Sequence, residues 1–401
     1  MTRSANLSFT NHNKVFRDSA LCAPRYFRGG SPLIRIAPKL TENPVSSVAC
    51  SLQSCLDHAL LVPLRVFPNR SASVVSSQNQ QIMFVFPGQG SQYVGMGSDL
   101  IRDFPSAQRR YEQASELLGY DLIKLCLDGP EEQLRLTRHT QPALLTHSLA
   151  CLEIFQELTD HQVQPVLTAG HSLGEYCALV AAGALDFATA LRLVQQRGEC
   201  MGTYGDGEML AFPLHLDSVR PLAEQHFCAV AACNLSDQTV VGGRGPDLDR
   251  LTEAALTHFP RKKPTRLKTE GAFHTFYMIT AALHFRPTLD AAEMKAPAIR
   301  VLSNFTGSHH DPDPAAIKTR LFFQLFHPVN WIGNLETAFH DEITTIVEFG
   351  GGLGSGPNPE DKRPNLESMV KKALRGSDYS VHYHAAINSQ TLRDAAKALQ
   401  P

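Results

Sequence analysis

A serine flanked by glycines is the feature of this sequence with the clearest chemical meaning. It lies in Gly170-His171-Ser172-Leu173-Gly174-Glu175, between a predicted strand at Pro165 to Ala169 and a predicted helix at Tyr176 to Gly183. At such a strand-turn-helix, the hydroxyl projects from the sheet edge at the helix N-terminus, where the Leu173 amide can face a carbonyl oxygen. We therefore expect Ser172 to be a nucleophile. The alternative is an ordinary turn with a helix-capping serine.

A glycine-rich turn follows the first predicted strand of the folded region. The apolar run Ile82 to Phe86 is typical of a buried parallel strand, and Gly88-Gln89-Gly90-Ser91-Gln92 comes soon after it. This turn has no lysine and no GxGxxG spacing, so a phosphate-binding loop is disfavoured. We expect it to supply a second amide donor for an oxyanion. A purely structural turn is the alternative.

Four motifs in this order resemble the malonyl-CoA:acyl carrier protein transacylases, a group that includes the acyltransferases of polyketide synthases. They are Phe86-Pro87-Gly88-Gln89-Gly90-Ser91-Gln92, the GHSLGE motif at 170–175, Gln196-Arg197-Gly198 and Gly271-Ala272-Phe273-His274-Thr275. The resemblance spans about 82–375 and leaves out residues 1–81. It implies a hydrolase-like α/β core with a ferredoxin-like insertion.

The resemblance assigns roles to individual residues. It implies that Ser172 is the nucleophile, that His274 is the base, and that the backbone amides of Gln89 and Leu173 form the oxyanion hole. The family has no third acid, and the residue that matches its histidine-orienting backbone carbonyl is Gln324. A serine reacts poorly until a neighbouring base accepts its proton, so a serine and a histidine are the minimum apparatus.

Three further residues bear on the substrate. In the family, the arginine that matches Arg197 binds the free malonyl carboxylate by a two-bond contact, whereas a surface arginine is the structural alternative. Phe273, before the histidine, resembles the malonyl-selecting form of the family. His171 lies beside the nucleophile in the substrate pocket and is expected to pack and hydrogen-bond there rather than to catalyse.

Basic residues in the predicted insertion suggest where an acidic partner docks. They are Arg261, Lys262, Lys263 and Arg266, and a solvated surface is the alternative.

The partners that the resemblance implies are an acyl carrier protein, with its phosphopantetheine, and the substrate malonyl-CoA. No bound cofactor is expected. Neither His309-His310-Asp311 nor His382-Tyr383-His384 has companion residues at metal-ligand spacing, so no metal site is predicted.

The secondary-structure pattern predicts an α/β fold with a parallel sheet. Alternating strands and helices cover 82–207 and 270–375, and include a helix over 141–158 with Pro142 in its first turn. The stretch 208–269 has a βαββαβ pattern, typical of a ferredoxin-like subdomain. Residues 376–401 are interpreted as a C-terminal extension.

The sequence differs from the usual pattern of the family in two places. The long glycine-rich turn 350–356 replaces a shorter Gly-Pro-Gly-like turn, and Asn330 replaces a frequent arginine. The longer turn bears on the rim of the pocket, and both differences bear on the details of substrate recognition.

The composition excludes several classes of protein. The 401 residues carry a net charge of −2, which gives no overall indication of nucleic-acid binding, and no apolar run is long enough to cross a membrane. Scattered cysteines such as Cys177, Cys200 and Cys233 indicate reduced core residues and a reducing compartment. We expect a monomer.

Residues 1–81 differ from the rest, with nine Lys or Arg against three acids up to residue 80. This leader is interpreted as a disordered tail or an over-long start of the reading frame, with an organelle-targeting peptide as the alternative; a folded docking element is disfavoured. The cytoplasm is the expected location, with mitochondria or another organelle as the alternative.

The function predicted is transfer of a malonyl group from CoA to a carrier-protein thiol through a seryl ester, for fatty-acid or polyketide synthesis. An acyl hydrolase and a carrier-to-carrier acyltransferase of the same fold are the alternatives. A lipase-like hydrolase is disfavoured because no acid is placed to complete a triad. A non-catalytic binding module would not need the serine, histidine and arginine together.

Overall fold

The structure is a computed structural model, and it describes residues 80–400. The predicted leader, apart from its last two residues, lies outside the described residues.

The described residues form strands and helices that alternate along much of the chain. In chain order they are β1 Ile82–Phe86, α1 Ser98–Asp103, α2 Pro105–Leu118, α3 Leu122–Asp128, α4 Glu131–Leu134, α5 Thr137–Leu158, β2 Leu167–Gly170, α6 Gly174–Ala181, α7 Phe187–Tyr204, β3 Glu208–Phe212, α8 Leu216–Gln225, β4 Ala229–Leu235, β5 Gln238–Gly243, α9 Gly245–His258, β6 Thr265–Arg266, α10 Ile279–Ala291, β7 Arg300–Ser303, β8 Ser308–His309, α11 Pro314–Gln324, α12 Trp331–His340, β9 Thr345–Phe349, α13 Glu367–Ala373, β10 His382–Ala386 and α14 Ser389–Leu399. Short 3-10 helices cover Phe276–Met278 and Pro359–Asp361.

The larger sheet has the order β10-β9-β1-β2-β7-β8 among the described strands. All neighbours are parallel except β8, which is antiparallel to β7. Every residue of β1 is buried, because a central parallel strand covered by helices on both faces has no solvent side. Phe86 pairs with Gly170, so the turns that follow β1 and β2 leave the same edge of the sheet side by side. The predicted α/β fold is confirmed.

The smaller sheet has the order β4-β5-β3-β6, with antiparallel pairs throughout. Its elements follow one another as βαββαβ, which is the order predicted for 208–269. It has a small core of its own that includes Phe212, Leu248 and Leu251. The backbone of Val329 joins it to the rest: its carbonyl accepts from the Cys233 amide at 2.9 Å, and its amide donates to Ala231 at 3.0 Å.

The C-terminal residues are part of the core, which corrects the interpretation of 376–401 as an extension. Strand β10 pairs in parallel with β9, with Tyr383 opposite Ile346, and α14 buries Leu392 and Leu399 against the main core. The error has a physical cause. An edge strand is buried on fewer sides than a central one, so the sequence HYHAA needs no apolar run and gives no strand signal.

The helix predicted to begin at residue 141 begins at Thr137 instead, so Pro142 lies inside α5 rather than in its first turn. The apolar pattern starts only at Pro142, and the polar turn before it carries no periodic signal. Its Thr140 and Gln141 are nonetheless buried, and the second of these reaches the site described below.

Two expectations from composition can be compared with the described residues. Within residues 80–400, no helix is both long enough and apolar enough to span a membrane. The six cysteines in this part of the chain are all buried and free of disulfides, in agreement with the prediction of reduced core residues.

Candidate active site

The serine of the GHSLGE motif lies in a strained turn between β2 and α6. Its φ of 53° is in the left-handed region, which residues other than glycine rarely adopt. A Cβ on Gly170 would lie 1.9 Å from the carbonyl carbon of Gly174, and one on Gly174 would lie 2.1 Å from the Phe86 oxygen. Both positions therefore require glycine. The turn leaves the Ser172 side chain at the N-terminus of α6, as a nucleophile elbow requires.

His274 lies opposite the serine and is held from behind by the end of α11. Its Nε2 is 2.7 Å from the Ser172 hydroxyl oxygen, and its Nδ1 is 2.6 Å from the backbone oxygen of Gln324. A carbonyl can only accept, so Nδ1 carries the proton and the lone pair of Nε2 faces the serine. The orienting group is therefore a backbone carbonyl and not a carboxylate.

The environment keeps this imidazole neutral. Burial, followed by the nearby cation of Arg197, lowers the pKa of His274 to about 3, although the hydrogen bond to Gln324 acts in the opposite direction. His274 itself has a φ of 61°, and its amide donates to the Leu325 oxygen at 3.1 Å. At neutral pH the ring is ready to accept a proton.

A buried arginine reaches the same hydroxyl from α7. Arg197 is 1% exposed; its Nη2 donates to the Ser172 hydroxyl at 3.2 Å and to Gln324 Oε1 at 3.0 Å. Its Nη1 donates to Gln141 Oε1 at 2.9 Å, and its Nε–H has no partner among the described residues. Burial lowers the pKa of this guanidinium, whereas Tyr176 and Glu175 raise it. A cation so placed favours an anionic group next to the nucleophile.

A carboxylate lies behind these groups. Glu175 is fully buried, and three donors point at it: His310 Nε2 at 2.7 Å, the Asn304 amide at 3.0 Å and Gln324 Nε2 at 2.8 Å. Asn304 in turn accepts from the Ser172 amide at 2.6 Å and donates to the Gly170 oxygen at 2.8 Å. The carboxylate is thus connected to the serine, the histidine and the arginine.

Residues 83–318, more than half of the chain, match the family described as the acyl transferase domain. The chain belongs to the acyl transferase family. This acyl transferase is 37% identical over 282 residues to a malonyl CoA-acyl carrier protein transacylase of Bacillus subtilis, covering 68% of this chain and 87% of that protein. It is 38% identical over 312 residues to a probable mitochondrial malonyl-CoA-acyl carrier protein transacylase of Drosophila melanogaster, covering 74% of this chain and 81% of that one.

Solved structures agree with this family assignment. The malonyl-CoA:acyl carrier protein transacylase of Xanthomonas oryzae superposes with a TM-score of 0.71 at 32% identity, over 80% of this chain and 98% of that one. A malonyl-transacylase solved in complex with a type II polyketide synthase acyl carrier protein superposes with a TM-score of 0.69 at 30% identity, over 79% and 99%.

In the acyl transferase, the backbone amides of Gln89 and Leu173 donate to no other described residue. They are the amides assigned above to the oxyanion hole. Gln89 follows Gly88, where a Cβ would lie 2.5 Å from the His171 oxygen, so the loop passes close against the elbow. The long glycine-rich turn packs on this loop through a bond from the Gly352 amide to the Ser91 oxygen at 2.8 Å.

The remaining predicted site residues fall in three places. His171 Nε2 lies 2.8 Å from Asn234 Oδ1 and its ring packs near Trp331, so it packs and hydrogen-bonds as expected. Phe273 is buried directly before His274. Asn330 caps α12, its side-chain oxygen accepting from the Gly333 amide at 3.1 Å, which explains an asparagine at that position.

The basic residues predicted to dock a partner lie around β6. Arg261, Lys262 and Lys263 are exposed and form no ion pair with described residues. Arg266 is different, because it pairs with Glu208 and with Asp249 on the subdomain itself. Three of the four cations therefore face solvent and have no ion-pair partner within residues 80–400.

Within residues 80–400, no group of three or more His, Cys, Asp or Glu could hold a metal ion. His309 pairs with Asp341 at 2.7 Å, and His310 pairs with Glu175.

Sequence reasoning missed four buried residues of the site: Gln141, Glu175, Asn304 and His310. One signal was available, because Glu175 belongs to the GHSLGE motif and a buried carboxylate is uncommon without a partner.

Proposed function

We propose that this acyl transferase moves a malonyl group from CoA to the phosphopantetheine thiol of an acyl carrier protein, through an ester on Ser172. One observation carries the proposal: a single hydroxyl oxygen lies 2.7 Å from a neutral imidazole nitrogen and 3.2 Å from a buried guanidinium. The first contact is the apparatus of acyl transfer, and the second selects an acyl group with a free carboxylate. The names of the Bacillus and Drosophila relatives support the same reaction.

In the first half of the reaction, Ser172 gives its proton to His274 Nε2 as its oxygen attacks the thioester carbonyl. The carbonyl electron pair moves to the oxygen, and the amides of Gln89 and Leu173 stabilise that oxyanion. Collapse of the tetrahedral intermediate breaks the carbon–sulfur bond, and the CoA sulfur takes the proton from His274. The product is a malonyl ester of Ser172.

In the second half, the phosphopantetheine thiol gives its proton to His274 and its sulfur attacks the ester. The oxygen of Ser172 leaves and regains the proton. Water would compete for the ester, so the buried setting of His274 and Arg197 favours transfer over hydrolysis.

Arg197 binds the malonyl carboxylate in this proposal. A guanidinium gives two parallel bonds to a carboxylate, and a neutral acyl group would leave it desolvated without that partner, at a cost of about 1–3 kcal/mol. Phe273 would limit substitution at the α-carbon, where one methyl group changes binding by about 1–3 kcal/mol. Malonyl is therefore preferred over acetyl and over methylmalonyl groups.

The exposed cations Arg261, Lys262 and Lys263 form the docking surface for the acidic carrier protein, with Arg266 contributing less because it is paired within the subdomain. A relative in Bacillus velezensis is named for polyketide biosynthesis, whereas the name of the Bacillus subtilis relative gives no pathway. The carrier protein accordingly belongs to fatty-acid or polyketide synthesis.

Intact-mass measurement after mixing with malonyl-CoA tests the proposal. We expect the wild type to gain one malonyl group, Ser172→Ala to gain none, and Arg197→Ala to shift towards neutral acyl groups. Adding a phosphopantetheine-bearing carrier protein should then move the label to its thiol. Release of free acid from acetyl carriers would indicate the hydrolase instead, and labelling only from another acyl carrier would indicate a carrier-to-carrier transferase.

The location can be tested separately. The Drosophila relative is named mitochondrial, and the basic composition of residues 1–81 is that of a targeting peptide. Fusing residues 1–81 to a fluorescent protein distinguishes an organellar destination from the cytoplasm.

A further inference from the structure

The carboxylate of Glu175 touches no reacting atom, yet it bonds to Gln324, a residue that contacts Ser172, His274 and Arg197. Gln324 accepts from His274 Nδ1 through its backbone oxygen, and its side-chain oxygen accepts from Arg197. Its side-chain nitrogen donates to Ser172 O at 3.0 Å and to Glu175 Oε2 at 2.8 Å. The geometry thus places Gln324 between the carboxylate and the site.

We propose that Glu175, held by His310, is a positioning residue that fixes the side-chain amide of Gln324 and through it the base and the guanidinium. This inference rests on the serine–histidine pair of the proposed function.

The direction of the Gln324 amide depends on the carboxylate. A carboxylate accepts only, so the end of the amide that faces Glu175 must be the NH₂ group, and the oxygen must then face Arg197. Turning the amide over would bring its NH₂ group against the guanidinium, where two donors would meet and the buried guanidinium would lose an acceptor. The carboxylate therefore selects the one orientation that serves Arg197.

The same carboxylate supports the strained nucleophile turn. Its Oε2 also accepts from the Asn304 amide, and the Asn304 side chain bonds to the Ser172 amide and the Gly170 oxygen on the two sides of the turn. A residue with a φ of 53° needs such support from its surroundings.

His310 bonds to the other oxygen of the carboxylate. Its Nε2 donates to Oε1 at 2.7 Å, both side chains are fully buried, and the second ring nitrogen has no partner among the described residues. A buried carboxylate is costly unless its oxygens are satisfied, so this third donor keeps Glu175 in place.

The test uses a fluorophosphonate probe, which reacts with the serine oxygen, loses fluoride and passes the serine proton to the base. It requires Ser172 and His274 but neither malonyl-CoA nor a carrier protein. We expect Glu175→Ala to label about 10- to 100-fold more slowly than the wild type. Glu175→Gln, whose side-chain oxygen can still accept from Gln324, should label within about threefold of the wild type.

Two further variants complete the experiment. Glu348→Ala removes an equally buried carboxylate from β9 and should lose stability in urea while labelling at the wild-type rate. Gln324→Met keeps the backbone carbonyl but removes the amide, and should slow labelling as Glu175→Ala does. If both act through one hydrogen bond, the double variant is no slower than the slower single variant.

The outcomes separate the two proposals. An unlabelled wild type would count against the serine–histidine pair itself. A labelled wild type with a folded Glu175→Ala that labels equally fast would overturn the positioning role. Should Glu175→Ala fail to fold, Gln324→Met decides alone, since wild-type labelling by that variant would show that the Gln324 amide does not position the base, and would overturn the proposal.

Discussion

Two buried carboxylates of this acyl transferase receive similar sets of hydrogen bonds and have different effects. Glu175 and Glu348 are both fully buried. The donors to Glu175 belong to His310, Gln324 and Asn304, which lie far from it in sequence. The donors to Glu348 are two amides at 365–366 and the hydroxyl of Tyr383.

The difference lies in what the donors touch next. Two of the residues that donate to Glu175 also bond to Ser172, His274 or Arg197. The residues that donate to Glu348 belong to a loop and to edge strand β10. A buried carboxylate therefore serves catalysis or architecture according to the groups it bonds to, and not according to its burial. Changes near Glu175 should therefore alter rate, and changes near Glu348 should alter stability.

The largest effect is expected from His274→Ala. Without a base, the Ser172 hydroxyl has no proton acceptor, and acylation should slow by about 10³-fold or more. The measurement is the rate of acyl-enzyme formation by intact mass. His384→Ala, on β10 next to the Glu348 cluster, is the matched control and should acylate at the wild-type rate. Equal loss in both variants would contradict the comparison.

Arg197→Met should give a smaller effect of two kinds. Preference for malonyl-CoA over acetyl-CoA should fall by about 10- to 100-fold, because the carboxylate loses its partner. The cation also lowers the pKa of His274, which is about 3, so its removal raises that pKa. Because the neutral ring is the active base, the acid limb of the acetylation rate should move to higher pH. The limb lies well below the ordinary histidine pKa in the wild type.

Arg110→Met removes an arginine that pairs with Glu153 at 3.0 Å outside the site and serves as the control. Both of the kinetic quantities should match the wild type in that variant. An acid limb that stays in place, or moves to lower pH, in Arg197→Met would show that the charge does not act on the base.

Short sequence patterns correctly predicted the features that a few neighbouring residues determine. The nucleophile turn follows from glycines that its backbone requires, since a Cβ on Gly170 or Gly174 would collide with neighbouring backbone atoms. Strand β1 at Ile82–Phe86 has the predicted bounds, because a short apolar run before a turn suits a buried strand. His274, Arg197 and Gln324 were assigned through motif resemblance, since their convergence cannot be seen in any one stretch.

The rest of the site could not be predicted because its pairs are distant in sequence. Glu175 meets Asn304 and His310 across 129 and 135 residues, and Arg197 meets Gln141 across 56. A buried polar pair leaves no periodic pattern at either end. Strand β10 was not predicted for a related reason. Its pairing with β9 is made by backbone groups, which every residue type except proline carries, so the pairing leaves no pattern in the side chains.

Glu348→Gln should change stability with a particular dependence on pH. Burial raises the pKa of Glu348 to about 7 from its ordinary 4.5, so the folded state holds the proton more firmly than the unfolded chain. That contribution to stability is present below about pH 4.5 and is lost as pH rises through 7. The free energy of unfolding of the wild type, relative to that of Glu348→Gln, should therefore fall between pH 5 and pH 8.

Urea unfolding at the two pH values measures this difference, and labelling of Ser172 by the fluorophosphonate probe should be unchanged. A difference that grows with pH would mean that the three hydrogen bonds to the carboxylate outweigh its burial.

Tyr383→Phe should give the smallest effect. It tests whether the tyrosine hydrogen bond stabilises the charged carboxylate of Glu348 or its protonated form. The hydroxyl donates to the carboxylate, so its removal should cost about 0.5–1.5 kcal/mol in the free energy of unfolding. The same bond lowers the pKa of Glu348, which means that it favours the charged form. The loss should consequently be larger at pH 8 than at pH 5, with no change in acylation rate. A loss that is larger at pH 5 would show that the tyrosine bonds preferentially to the protonated form of Glu348. The hydroxyl would then not be a donor to a buried carboxylate, and the hydrogen bonds of Glu348 would resemble those of Glu175 less closely.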